Sequence, residues 1–194
     1  IKNKLSKDNN IITTTSREND LTIEDNVHNL FYNNDIDSVI HCAAFHGGIK
    51  YNIDNRAIIL SKNLRMNNLI FEYCSKRRIE KLSCVSTVDI YSRQCRVPLN
   101  ENDIWNGYPE ETSAPYAMSK KIMLVLSEAY KTQFGLNSIN LLLINLYGPN
   151  DEFSDDKSHV IPSLIKKIDK AVNENIDEIE VWGDGTAKRE FIYV

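Results

Sequence analysis

Strand-length apolar runs alternate with helix-length stretches along this chain, and that alternation restricts its fold more than any other feature. Residues 37–44 carry Val39, Ile40, Cys42 and Ala43, residues 80–87 carry Leu82, Val85 and the small Ser83, Cys84 and Ser86, and residues 138–145 are strongly apolar. Between them, residues 56–77 hold Ile58, Ile59, Leu60, Leu64, Leu69, Ile70, Phe71 and Tyr73 as a broad apolar face, and residues 116–134 form a second helical stretch stopped by Gly135. Parallel neighbours need crossover connections of about this length, so the order predicts a parallel sheet covered by helices on both faces. A short strand at residues 10–15 and a helix at 23–33 are predicted ahead of these, and a helix at 160–173 and a strand at 178–182 behind them.

The predicted fold class is therefore α/β, a doubly wound, Rossmann-like parallel sheet truncated at both ends. Domains of this kind open with a strand, a Gly-rich turn and a helix whose N-terminus takes a pyrophosphate. Here the first glycine is Gly47, position 1 is Ile, and residues 1–8 read as the tail of that first helix. At the other end, Arg189-Glu190-Phe191-Ile192-Tyr193-Val194 stops inside an apolar run. The expectation is a fragment of a longer protein. Residues 1–149 would form a Rossmann-like dinucleotide domain lacking its first strand and Gly-rich loop, and residues 150–194 the beginning of a smaller substrate-binding region.

Composition excludes several classes. At 194 residues and 42% hydrophobic, the chain is long enough for one α/β domain with its own core. A net charge of −4 argues against nucleic acid as a partner, and Lys76-Arg77-Arg78 complements a helix C-terminus. Cys42, Cys74, Cys84 and Cys95 show neither Cys-x-x-Cys spacing nor ordered His partners, so no metal site and no disulfide framework is expected, and a reducing, cytoplasmic compartment is. No apolar stretch approaches the ~20 residues of a membrane span. Asp151, Asp155 and Asp156 lack the ligand ladder of a calcium loop and read as a solvated acidic loop.

Tyr116 and Lys120, in Tyr-Ala-Met-Ser-Lys, stand four residues apart on a predicted helix and so stack on one face. A free Tyr titrates near ~10, and a neighbouring ammonium lowers that value by favouring the phenolate. Such a pair can pass a proton to a carbonyl oxygen while hydride reaches its carbon. Taken alone, the spacing more often marks an exposed helix pair. Thr87 adds weight, because it closes a predicted strand, and the carboxyl ends of strands are where open parallel sheets bind ligands.

Further segments carry a resemblance: Ala43-Ala44-Phe45-His46-Gly47-Gly48-Ile49, the strand and loop ending at Tyr91, Pro115-Tyr116-Ala117-Met118-Ser119-Lys120, Asn145-Leu146-Tyr147-Gly148-Pro149-Asn150-Asp151, Ser158-His159-Val160-Ile161-Pro162, and Val181-Trp182-Gly183-Asp184-Gly185-Thr186 with Arg189-Glu190-Phe191. In these the chain resembles the GDP-L-fucose synthases, extended short-chain dehydrogenase/reductases, over nearly its whole length. The first three segments would suit many sugar-nucleotide enzymes; the last three are more particular.

The resemblance implies NADPH-dependent conversion of GDP-4-keto-6-deoxy-D-mannose to GDP-L-fucose, by epimerisation at the two carbons flanking the ketone and then reduction. It implies Tyr116 as proton donor to the ketone oxygen, Lys120 on the nicotinamide ribose, and Thr87, where the family usually has Ser, as a hydroxyl donor to the substrate. NADP(H) would run past Val85, Ser86, Thr87 and Val88, past Leu143, Ile144, Asn145 and Leu146, and beside His159, which matches the acid of the epimerisation. Lys167, Trp182 and Arg189 match positions that hold the GDP-sugar, and Lys167 lacks the bidentate fork of the Arg often found there. Asp89 stands where the family has a proton-exchanging Cys. A Cys begins near ~8.5 and an Asp near ~3.9, so an exposed Asp89 would be a poor base unless burial raised it, and the reduction is implied more firmly than the epimerisation.

The resemblance also implies a homodimer for the full-length enzyme, through the helices at 56–77 and 116–134, with no nucleic-acid or membrane partner. Arg17, near Thr15 and Ser16, is either a contact for the 2′-phosphate or an exposed loop residue. His41 and His46 read as structural and His28 as solvated. The alternatives are another nucleotide-sugar reductase or 4-epimerase on the same scaffold, or a non-catalytic remnant. The chain on its own is expected to bind NADPH poorly and to aggregate or need a partner, because losing a central strand exposes unpaired backbone and apolar surface.

Overall fold

The computed structural model describes residues 2–47, 49–154, 158–181, 183–186 and 188–194, and only the backbone of residues 49 and 50. The elements in chain order are α1 (Lys2–Leu5), α2 (Glu24–Tyr32), β1 (Ser38–His41), α3 (Ile49–Asp54), α4 (Arg56–Lys76), β2 (Lys81–Thr87), α5 (Ala114–Phe134), β3 (Ser138–Leu143), β4 (Asn145–Tyr147), α6 (Val160–Glu174) and β5 (Phe191–Tyr193). A three-stranded parallel sheet has the order β1-β2-β3, and β4 pairs in parallel with β5 in a second, two-stranded sheet.

Both long crossover helices stop by the same device. At the end of α4, Arg78 takes φ 53° and Ile79 N–H reaches back to Cys74 O at 2.9 Å. At the end of α5, Gly135 takes φ 74° and Leu136 N–H bonds Tyr130 O at 3.3 Å. In each, a left-handed residue lets the next N–H satisfy a carbonyl of the last turns, five residues back in α4 and six in α5, and the hydrophobe at that position enters the core. Ile79 and Leu136 are both buried, and they lead directly into β2 and β3.

The register fixes which side chains share a face. His41, Cys84 and Asn140 are aligned across the sheet, as are Val39, Leu82 and Ser138. This face meets the helices. Leu82 and Cys84 pack in one core with Val27 and Phe31 of α2, Phe71 and Cys74 of α4, and Met123 of α5. Asn140 Nδ2 donates to Ser127 Oγ on α5 at 2.7 Å. On the opposite face, the row Ile40, Ser83, Ile139 and the pair Val85, Leu141 leave Ile40 44%, Ile139 43% and Leu141 39% exposed. Of the two helical layers of a doubly wound domain, the described residues pack one against the sheet.

Three sequence expectations are corrected. Residues 10–15 form no strand, because no described strand lies alongside to share a hydrogen-bond ladder. The predicted strand at 138–145 ends at Leu143, and after Ile144 the chain resumes as β4, paired with Phe191–Tyr193. The predicted strand at 178–182 is irregular over its described residues, and Lys167 Nζ takes the Glu180 carbonyl at 2.8 Å.

Candidate active site

The site lies at the carboxyl ends of β2 and β3, where α5 begins. Thr87 is the last residue of β2, and its Oγ1 accepts the Asp89 N–H at 3.2 Å in the 3-10 turn Val88–Ile90. That bond occupies a lone pair of the hydroxyl and leaves its proton free to donate. Ile90 and Tyr91 anchor the turn in a small second core with Ile104, against which Val88, Leu124 and Leu142 pack.

Tyr116 sits in the first turn of α5, with Ala114 and Ala117 fully buried on either side. Lys120, one turn on, is 1% exposed, and its Nζ donates to Val85 O at 2.8 Å. Its ammonium lies 5.8 Å from the centre of the Tyr116 ring. Burial lowers the Lys120 pKa to about 8, with the Cys84 and Cys42 thiols acting in the opposite sense. Tyr116 moves the other way from the sequence expectation. Burial, then the Asp89 carboxylate, pushes its pKa up to about 12. As it stands, the site holds Tyr116 protonated, as a proton donor must be.

Ser86 is buried, and its Oγ has no hydrogen-bond partner among the described residues. Asp89 is exposed. Leu143 and Ile144 are half-buried and Asn145 and Leu146 exposed along the break between β3 and β4.

His159 immediately precedes α6, and its carbonyl accepts the Ser163 N–H at 3.0 Å. With Asn145, Leu146, Pro162, Arg189 and Phe191 it lines a cavity of about 60 Å³, room for about two waters. This joins the β4 segment, the α6 N-terminus and the β5 segment, and Asn145 Nδ2 secures the join by donating to Glu190 O at 3.1 Å. Lys167 is not part of that cavity. It lines a separate, open one of about 200 Å³ with Lys170, Ala171 and Ile176, its Nζ held by Glu180 O. Trp182, Gly48, Asp155 and Asp156 lie outside the described residues. Arg17 is exposed in a turn.

Of the two histidines read as structural, His41 is so. It is buried, and its Nε2 lies 2.9 Å from Asn67 Oδ1. His46 is instead in the site, its ring centroid 4.3 Å from that of Tyr116, and it feels the charges of Asp89, His159 and Lys120. Its position after Ala43-Ala44, at the carboxyl end of the first strand run, is the one signal in the sequence that pointed there. The four cysteines are free, and no group of three or more metal-ligating side chains occurs among the described residues.

Comparison with known proteins bears on the family and the fold. The NAD dependent epimerase/dehydratase family matches residues 2–194. The chain belongs to that family. Among curated members, it is 34% identical to a GDP-L-fucose synthase of Escherichia coli (strain K12), over 87% of this chain and 52% of that protein. It is 33% identical to a GDP-L-colitose synthase of Yersinia pseudotuberculosis, over 97% of this chain and 61% of that protein. The chain thus spans about half to three fifths of these epimerase/dehydratase relatives. Among solved structures, a GDP-mannoheptose C4 reductase of Campylobacter jejuni with NADP bound superposes with a TM-score of 0.87 at 25% identity, over 98% of this chain and 66% of that one. No helix among the described residues is long and apolar enough to cross a membrane.

Proposed function

We propose that this chain carries the catalytic centre of an NADPH-dependent enzyme that reduces the 4-keto group of a GDP-6-deoxy sugar, and that in the whole protein the product is GDP-L-fucose. Residues 1–149 supply the cofactor side and residues 150–194 the beginning of the sugar-nucleotide side. The observation that carries the reading is the convergence of Thr87, Tyr116 and Lys120 at the end of β2.

The residues present fit the nicotinamide end of a dinucleotide. Lys120 is a buried ammonium with three N–H donors, one of them on Val85 O. A ribose diol would give such a cation the acceptors that burial denies it. When bound, the cofactor supplies hydride to the carbonyl carbon. Tyr116, protonated at neutral pH, delivers the proton that turns the carbonyl oxygen into a hydroxyl, and the Thr87 hydroxyl holds that oxygen in place. Arg189 and His159, across the small cavity, face the sugar-nucleotide side. Arg189 offers a forked donor for phosphate.

The test is NADPH oxidation by the whole protein with GDP-4-keto-6-deoxy-D-mannose. Tyr116→Phe is expected to lower kcat by about 10²–10⁴-fold, the usual worth of a positioned acid, with the fold intact by circular dichroism. Full activity in Tyr116→Phe would overturn the assignment.

One observation favours a second reading, reduction without epimerisation: Asp89 is exposed in place of the family's Cys. Solvent deuterium appearing at the two carbons flanking the ketone would support the fucose synthase reading. Reduction without label would support a plain C4 reductase.

A further inference from the structure

We propose that His46 is a positioning residue for Tyr116, held by Asn52 as the neutral tautomer protonated at Nδ1, and that its protonation sets the acid limb of the enzyme's activity. The inference rests on the reading of Tyr116 as proton donor.

The tautomer follows from a short chain of hydrogen bonds. Gly47 N–H donates to Asn52 Oδ1 at 3.1 Å. A backbone N–H can only donate, so the carboxamide oxygen faces Gly47 and the Nδ2 amide faces His46. Asn52 Nδ2 lies 3.1 Å from His46 Nε2, which must therefore accept, and the ring proton belongs on Nδ1. Asn52 is 6% exposed, so the lock is enclosed by protein. The loop is closed tightly enough to hold it, since a Cβ on Gly47 would sit 2.6 Å from Tyr51 Cδ1.

His46 then meets the site. Its ring lies 4.3 Å from that of Tyr116, at 50°. The groups acting on it are Asn52 of α3, Tyr116 and Lys120 of α5, Asp89 of the turn after β2, and His159 before α6. Desolvation, together with His159 and Lys120, lowers its pKa below the ordinary 6.5, against the pull of Asp89. Charging the ring would put a proton on Nε2, where Asn52 also presents one. Either the ring or the amide must then turn, and the support of Tyr116 is lost with it.

Side-chain ¹⁵N NMR of the whole protein, alongside pH profiles of kcat and KM, tests this. The expected spectrum at pH 7.5 has His46 Nδ1 protonated and Nε2 bare. Asn52→Leu removes the donor that favours the neutral ring, so the His46 pKa and the acid limb of kcat should move up together. His46→Phe keeps an aromatic ring against Tyr116 but cannot titrate. It should lose that limb, whatever kcat it retains at pH 7.5. A spectrum with Nε2 protonated, or an acid limb unchanged in both variants, would overturn the proposal. Because the tautomer is read without substrate, its failure is separate from failure of the reductase reading, which Tyr116→Phe reports.

Discussion

At the scale of single residues, two histidines five positions apart are set in opposite states by two asparagines. Asn67 Nδ2 donates to Ser119 O at 3.1 Å, so its oxygen faces His41, and His41 Nε2 carries the proton. Burial lowers the His41 pKa from 6.5 to about 4, although the Asn67 bond pulls upward. A depressed pKa means that the unfolded chain binds the proton more readily. The stability held above pH 6.5 is therefore lost as pH falls towards 4, and a drop of that size is worth about 3 kcal/mol. His41→Gln, which has nothing to titrate, should show a flatter decline in urea-unfolding free energy between pH 7 and 4.5 than the wild type. In the sequence the two histidines look alike. What separates them is the direction of a carboxamide on a helix 26 residues from His41 in one case and on a six-residue helix in the other. No local pattern encodes that. Tyr116 shows the same limit: its spacing from Lys120 was legible, but the sign of its pKa shift was not, because burial and the Asp89 carboxylate set it.

Among elements, the crossover helices were legible because their signals are local: apolar faces at helical spacing and, for α5, a Gly stop. The cap at Gly135 makes a sharp prediction. A Cβ there would meet nothing within 4 Å, so the cost of Gly135→Ala comes from φ 74° alone, about 1 kcal/mol. Gly135→Asn should cost less, since Asn tolerates the left-handed region. Equilibrium unfolding of the two variants checks the order. Strands were less legible than helices, for a physical reason. Residues 10–15 have a strand-like composition, but a strand exists only where a neighbour completes its hydrogen bonds, and none of the described strands does. Conversely, Phe191–Tyr193 is a strand because β4 lies beside it.

For the whole molecule, the sheet has one packed face and one open face. Ile40, Ile139 and Leu141 form an apolar surface on the open side, where Val85 and Ser83 are also aligned. Contiguous apolar surface of this kind binds hydrophobic dyes and promotes association. The 194-residue chain is expected to enhance anilinonaphthalene sulfonate fluorescence while retaining a cooperative unfolding transition. Ile139→Thr with Leu141→Thr should reduce that signal without lowering Tm by more than a few degrees, because neither side chain belongs to the packed core. Fluorescence unchanged by the double substitution would place the dye elsewhere.

By itself the sequence determined the α/β alternation, the two crossover helices with the Gly135 stop of the second, Thr87 at the end of a strand run, and Tyr116 and Lys120 one turn apart on a helix. Each of these follows from spacing along the chain, which is fixed covalently. Only the tertiary structure decided that His46 enters the site while His41 supports the core, that Lys167 lines a different cavity from Arg189, and that Asp89 is exposed. Those outcomes depend on which groups desolvate one another and which hydrogen-bond partners remain once distant elements have packed.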